Sequence, residues 1–513
     1  MFRMRAALTV VLSAALLAAC AAGPTGAADP PQPRRRPNVL VILADDLGQR
    51  DLGSYGSSFH ETPHLDRLAR EGLRFTAAYA AAPVCSPTRA SLLTGQWPQR
   101  TGITDYIGAP PTPDRWTRNT RALPAPFADR LAHQASTLAE LMKAAGYATF
   151  FAGKWHLGPE GWWPEDHGFD INIGGIDRGG PYGGNRYFSA YGNPRLADGP
   201  DGEHLPDRLA TETVRFMAAN RDRPFFAYLS FYSVHTPLMA RPDLEQKYEQ
   251  KRARLGLEPA WGREHERDVR LVQEHAVYAG MVDAMDQAVG KVLTQLDELG
   301  LRDDTLVIFT SDNGGLSTSE GWPTSNAPLR AGKGWMYEGG LRVPFIVRWP
   351  GRIARAGEVT DVPVTSPDLL PTVFDAAGVE AGGGASAGGG GAGRGATVDG
   401  ISLLPLLEGQ PLAQRSLFWH YPHYGNQGGA PSAAIRRGDW KLIEWLEDGR
   451  VELFNVADDV GESNDRASTE SARVEAMRTE LRAWQQEVGA RMPTANPRYD
   501  RGAPSGRAAA RTP

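Results

Sequence analysis

Residues 37–44, Pro-Asn-Val-Leu-Val-Ile-Leu-Ala, form a run that is apolar without a break from Val39 and stops at Asp45-Asp46. A strand without polar alternation has no face to offer water, so it belongs in a sheet covered on both sides. Comparable runs recur at Tyr147–Ala152, Pro224–Ser230, Thr305–Thr310 and Val343–Arg348. Helical patterns lie between them at His64–Gly72, Ser136–Ala145 and Glu274–Leu299, the last with apolar residues three and four apart. This alternation predicts an α/β fold, a large, mostly parallel mixed sheet sandwiched by helices. Ligands of such sheets bind beyond the carboxyl ends of strands, and Asp45, Asp46, Asp312 and Asn313 all sit just after apolar runs.

The 513 residues suit two or three folding units. Residues 37–380 hold the main α/β pattern. Residues 381–397 are a Gly-dominated, flexible insertion with nothing to pack a core. In residues 398–488, short strands at Ser416–His420, Ala433–Arg437, Trp440–Trp445 and Val451–Asn455 precede a helix from about Ser471 to Val488. That predicts a smaller C-terminal antiparallel sheet plus helix. Residues 489–513 read as a disordered tail.

At the other end, Arg3 and Arg5 precede an apolar stretch from Ala6 to Leu17, and Leu17-Ala18-Ala19-Cys20 resembles a bacterial lipoprotein cleavage box. Residues 1–19 would then be a lipoprotein signal peptide, Cys20 the lipidated membrane anchor and residues 20–36 a flexible tether. The stretch is shorter than the ~20 residues a membrane span needs. Cys20 and Cys85 are the two cysteines. A net charge of −5 gives no reason to expect nucleic-acid binding.

Three carboxylates and an amide oxygen from two strand ends form a hard-oxygen set suited to Ca²⁺ or Mg²⁺ rather than Zn²⁺. Lys154 and His156 stand two apart, so in extended backbone they share a face. His235 follows the strand at Pro224–Ser230, and Pro237 favours an extended loop there. Lys333 lies between Gly332 and Gly334, which allow close approach to an oxyanion.

Cys85-Ser86-Pro87-Thr88-Arg89, with Leu92-Leu93-Thr94-Gly95 after it, resembles the signature of the type I, formylglycine-dependent sulfatases. Gly146-Tyr147 through Gly153-Lys154-Trp155-His156 matches their second signature, and the likeness runs from Pro37 to about Asp465. It implies an alkaline-phosphatase-like fold, with residues 37–380 as an arylsulfatase-like catalytic domain.

The resemblance further implies that a formylglycine-generating enzyme converts Cys85 to 3-oxoalanine. The hydrated aldehyde carries two hydroxyls on one carbon, one to attack sulfur and one to expel sulfate, which a thiol does not offer. Asp45, Asp46, Asp312 and Asn313 would hold a cation, Ca²⁺ before Mg²⁺, with residue 85 completing its shell. Arg89 would stabilise the hydrate, Lys154 would bridge it to the sulfate, and His156 would take the proton of the second hydroxyl. His235 and Lys333 would grip the ester and protonate the departing alcohol. The substrate would be a sulfated carbohydrate or an aryl sulfate, met in the periplasm or at the cell surface. Trp162, Trp163, Tyr182 and Tyr187 are candidates for stacking on sugar rings, and Phe418–Tyr424 for overhanging the cleft. Two alternatives remain: a phosphonate monoester or phosphodiester hydrolase of the same superfamily, and a non-catalytic lipoprotein that binds sulfated glycans with Cys85 unmodified.

Overall fold

The apolar runs become the centre of an eight-stranded sheet in a computed structural model that describes residues 36–353, 355–379 and 397–504. In chain order its strands are β1 (Asn38–Ala44), β2 (Leu73–Phe75), β3 (Ala148–Gly153), β4 (Ile171–Ile173), β5 (Phe225–Ser230), β6 (Thr305–Ser311), β7 (Phe345–Arg348) and β8 (Val359–Thr360). Their spatial order is β8-β2-β7-β6-β1-β5-β3-β4. Only β7 runs against its neighbours, so the sheet is mixed but mostly parallel, as expected.

Every residue of β1 is buried, and alternate side chains enter two different cores. Val39, Val41 and Leu43 pack with α2 (Cys85–Thr94), α3 (Leu138–Ala144) and α6 (Leu369–Ala377); Leu40, Ile42 and Ala44 pack with α1 (Pro63–Glu71), α4 (Leu205–Ala219) and α5 (Ala276–Glu298). The helices therefore sandwich the sheet. Truncating a side chain such as Ile42 to Ala would cost ~2–5 kcal/mol.

Register sets the site. Ala44 pairs with Ser311, and Ser230 pairs with both Leu43 and Gly153, so β1, β3, β5 and β6 end level with one another. Whatever follows those four strands emerges along one edge.

The second sheet, β9 (Ser416–Tyr421), β10 (Ser432–Arg437), β11 (Trp440–Trp445) and β12 (Val451–Asn455), is an antiparallel meander. One face, with Ile435 and Leu442, packs on α7 (Ser471–Glu487); the other, with Trp419 and Ile443, packs on Trp335 and Tyr337. The second face thus braces the loop that carries Lys333.

The expected disordered tail is a correction over 489–504. Ala495 and Thr494 pair with Ala122 and Leu123, and Asn496 Nδ2 donates to Thr120 O at 2.8 Å. Polar, Pro-rich composition hid a segment whose backbone finds partners on a neighbouring chain edge. The expectations for residues 1–19, 20–35, 381–396 and 505–513 lie outside the described residues.

Candidate active site

Asp45 and Asp46 leave the end of β1 through a turn in which Asp46 adopts φ 61°, a left-handed conformation that Asp tolerates better than most residues. Asp312 leaves the adjacent β6, and its Oδ1 accepts the Asp46 backbone N–H at 3.1 Å. Cys85 is the first residue of α2, where Pro87 costs no helical hydrogen bond. Its Sγ lies 3.7 Å from Asp45 Oδ1 and 3.8 Å from Asp46 Oδ1.

One helical turn on, Arg89 projects from the same side of α2. Its Nε donates to Asp312 Oδ2 at 2.8 Å and its Nη1 to Lys154 O and Ser230 Oγ at 2.9 and 2.8 Å. Lys154 Nζ reaches both oxygens of Asp45, at 2.8 and 2.7 Å, and Lys333 Nζ reaches Asp46 Oδ2 at 2.7 Å. Gly153 explains the glycine before Lys154: at φ 102° a β-carbon there would stand 1.7 Å from Ser230 O.

Lys154 and His156 do not share an extended strand face, since β3 ends at Gly153 and His156 turns at φ 59°. His156 nonetheless lines the same cavity as Cys85, His235 and Lys333. Its Nε2 faces Ile107 O at 2.7 Å, and a carbonyl only accepts, so Nε2 carries the hydrogen. Nδ1, buried and without a hydrogen-bond partner among the described residues, is left as the proton acceptor. His235 is held the other way round. Its Nδ1 donates to Thr236 O at 2.7 Å, and Nε2 stands 3.7 Å from Asp46 Oδ2.

All ten predicted site residues are buried, and for several of them burial competes with neighbouring charge. It pushes the Cys85 thiol up despite Lys154 and Lys333, so an unmodified Cys85 is a neutral, weakly nucleophilic thiol. It also raises the Asp45 carboxyl well above the usual range, more than Lys154 offsets. For Asp46 burial is outweighed by Lys333 and His235, and for Asp312 by Arg89 and Lys154, so both are held low. Burial and neighbouring lysines push His235 down to about 3 and His156 well below the ordinary histidine range. Lys333, facing Asp46, keeps its charge despite burial.

The residues fit a cation. Asp45, Asp46, Cys85 and His235 each offer a ligand atom, all within 4.8 Å of one another. Asn313 donates to Asp46 Oδ1 at 2.8 Å, while its own Oδ1 is buried without a partner among the described residues. A buried amide oxygen left with no donor is costly unless something electropositive meets it. The oxygen-rich donor set suits a hard ion. Asp312 stands beside this group with both oxygens engaged by Arg89 and the Asp46 N–H.

The cavity above these residues has a volume of about 400 Å³. Of the four proposed sugar-stacking aromatics only Tyr182 lines it. Tyr187 is fully buried with its hydroxyl 2.7 Å from both Tyr232 O and His235 O, one of which accepts its hydrogen, Trp163 is buried, and Trp162 stacks on His133. In Phe418–Tyr424, Phe418 stacks on Trp484 of α7 and Trp419 is in the core, so that cluster braces the small sheet.

Sequence reasoning missed several participants. Ser86 Oγ accepts the Ile107 N–H at 3.0 Å, which ties the loop that orients His156 to the helix carrying Cys85. Gly179 lies against the imidazole, where an added β-carbon would fall 2.7 Å from His156 Cε1. Glu320, Asn426 and Gln427 complete the cavity wall. None of these has a spacing signal, because each is defined by proximity across long stretches of chain.

Comparison with known proteins agrees with this geometry. The Sulfatase family model matches residues 37–379, and the model of the N-sulphoglucosamine sulphohydrolase C-terminal region matches residues 331–487. A sulfatase of Formosa agariphila is 31% identical, covering 88% of this chain and 89% of its own length. The N-acetylgalactosamine-6-sulfatase of Canis lupus familiaris is 34% identical, covering 86% of this chain and 77% of its own. The crystal structure of Ps i-CgsB in complex with k-i-k-neocarrahexaose superposes with a TM-score of 0.68 at 29% identity, over 88% of this chain and 93% of that one. With its signatures converging at one sheet edge, the chain belongs to the sulfatase family, and it is a sulfatase of the alkaline-phosphatase-like superfamily.

Proposed function

We propose that this sulfatase hydrolyses a sulfate monoester of a carbohydrate, with formylglycine at position 85 and Ca²⁺ at the carboxylate cluster. The observation that carries the reading is the placement of Cys85 Sγ 3.7 Å from Asp45 and 3.8 Å from Asp46, inside a ring of Arg89, Lys154 and Lys333. Buried thiol chemistry offers little here, because Cys85 is held neutral. The canine relative's name, N-acetylgalactosamine-6-sulfatase, and the k-i-k-neocarrahexaose in complex with Ps i-CgsB support a sugar substrate.

Asp45, Asp46, Asp312 and Asn313 would hold the cation. When bound it supplies Lewis acidity and offsets charge on the sulfate oxygens. Arg89, Lys154 and Lys333 add fixed positive charge around an anionic ester, commonly the largest catalytic contribution. His156, with its hydrogen fixed on Nε2, accepts a proton at Nδ1. Lys333 is charged and stands ready to grip the ester. His235 is neutral with its hydrogen on Nδ1, so its part in protonating the alcohol requires a proton gained at Nε2 as the anionic ester binds.

Two measurements test this. Peptide mass spectrometry across residue 85, after co-expression with a formylglycine-generating enzyme, is expected to find CH₂SH replaced by CHO. Chelation is expected to abolish sulfate release and added Ca²⁺ to restore it. A fully active preparation with an intact thiol, or activity indifferent to chelation, would refute the proposal. We also propose export and lipid anchoring at Cys20, on the N-terminal sequence pattern alone. Metabolic labelling with a fatty acid, lost in Cys20→Ala, is the check.

A further inference from the structure

The cavity that Lys333 lines also carries a charge that sulfate chemistry does not need. Glu320, exposed at the cavity rim, has its Oε1 held by two amide donors, Asn426 Nδ2 at 2.6 Å and Gln427 Nε2 at 3.0 Å. The backbone that carries those amides is itself tied down. Gln427 O accepts from Thr318 Oγ1 and Trp335 Nε1 at 2.9 and 3.1 Å, and Asn426 O accepts from Arg267 at 2.7 Å. Gln427 also packs against Gly334, beside Lys333, where an added β-carbon would lie 2.5 Å from Gln427 Oε1. A rigid support of this kind is what a recognition site needs, and an ornamental surface carboxylate does not have one.

A carboxylate at this place weakens the site's attraction for any anion, since it faces the same cavity as Lys333. It does two things well. It accepts hydrogen bonds from hydroxyls, the stronger for being charged, and it repels a second negative group entering with the sulfate ester. Tyr106 and Tyr182 line the same cavity and bring aromatic rings to it.

We infer that Glu320, positioned by Asn426 and Gln427, is a specificity-determining residue that reads a free hydroxyl on the leaving group and selects a sugar whose one negative charge is the sulfate over sugars bearing a further anionic group. This rests on the sulfatase reading above and extends it to the alcohol that departs.

The test compares wild type with Glu320→Gln and Glu320→Ala, each matured to equal formylglycine content, on 4-nitrophenyl sulfate, the monosulfates of galactose and a galactose disulfate. Glu320→Gln keeps an oxygen for the two amides, and a thermal melt checks that both variants fold. The ratio of kcat/KM on the best galactose monosulfate to that on 4-nitrophenyl sulfate is expected to fall at least about tenfold, mainly through KM. The ratio of disulfate to monosulfate turnover is expected to rise. Equal losses on all three substrates, unchanged ratios, or a wild type that cleaves the aryl ester and no galactose monosulfate would overturn the inference. A wild type silent on every sulfate ester would instead bring down the sulfatase reading, and this inference with it.

Discussion

Two of the buried charge clusters among the described residues make a comparison, and one of the two faces a cavity. In the first, Asp45, Asp46 and Asp312 meet Arg89, Lys154 and Lys333 at the level ends of β1, β3 and β6. In the second, Lys441 of β11 lies between Glu338 Oε1 at 2.9 Å and Glu462 Oε1 at 3.0 Å, with Tyr79 donating to Glu338 at 2.8 Å and Arg342 3.0 Å from it. Lys441, Glu338 and Glu462 are fully buried, pinning the small sheet to the segment that follows the Lys333 loop. Burial of charge is therefore no signal of catalysis here. What separates the clusters is access to a cavity. The first stands beneath the cavity lined by Cys85, His156, His235 and Lys333, and Asn313 Oδ1 and His156 Nδ1 there have no hydrogen-bond partners among the described residues; Lys441, Glu338 and Glu462 do not line that cavity.

The sharpest way to break this contrast is to delete one lysine from each. Lys154→Ala is expected to lower kcat/KM on a sulfate ester by ~10²–10³ or more, at a smaller cost in stability than its counterpart, because Arg89 still faces Asp45 at 3.5 Å. Lys441→Met is expected to cost ~3–5 kcal/mol of stability by stranding two buried carboxylates, with kcat of the folded fraction retained. Calorimetry alongside single-turnover kinetics reads both. Reversed outcomes would dissolve the distinction.

Next in size is His235→Ala. General acid assistance of ~10²–10⁴-fold matters for a sugar alkoxide and little for a phenolate. Turnover of alkyl sulfates is expected to collapse while activated aryl sulfates are largely spared; equal losses would remove the assigned role. Gly179→Ala should come close behind. Its β-carbon would push His156 off Ile107 O, and misplacement by about 1 Å costs up to ~10²-fold in rate. Loss of activity with an unchanged melting temperature is the expected result.

The smallest effect sharpens the second cluster. Burial raises the Glu462 carboxyl to about 7, more than Lys441 offsets, whereas the unfolded chain holds an ordinary carboxylate. The folded state thus binds this proton more tightly than the unfolded state does. Its stabilising contribution is complete below the unfolded pKa and is lost as pH rises through about 7. Wild type is expected to melt at lower temperature at pH 8 than at pH 5, and Glu462→Gln is expected to flatten that slope.

The same contrast explains what could be read from the chain. Strands such as Asn38–Ala44 and Thr305–Ser311 were legible because a strand buried on both faces is apolar along its centre, as Val39–Ala44 and Leu306–Phe309 are. Cys85, Arg89, Lys154 and His156 were legible because they sit in short local signatures. The helices Leu205–Ala219 and Pro242–Leu255 were harder to read, since their apolar stripes are diluted by charged residues on broad exposed faces. The ordered segment at 489–504 was misread, because backbone pairing leaves no mark on side-chain composition. Glu320, Asn426 and Gln427 were invisible for a related reason. A carboxylate and two amides 106 and 107 residues apart have meaning only once the loops meet. Trp162, Trp163 and Tyr187 show the converse, aromatic residues whose sequence neighbourhood promised a cleft and whose rings went to packing.

The central claim is that residue 85 does the chemistry as an aldehyde rather than as a thiol. Preparations matured to different extents by a formylglycine-generating enzyme supply the decisive series, with aldehyde content and sulfate-ester kcat measured on the same samples in Ca²⁺. The account predicts activity proportional to aldehyde content, falling to zero where the thiol is intact. Turnover that stays constant across the series would contradict it.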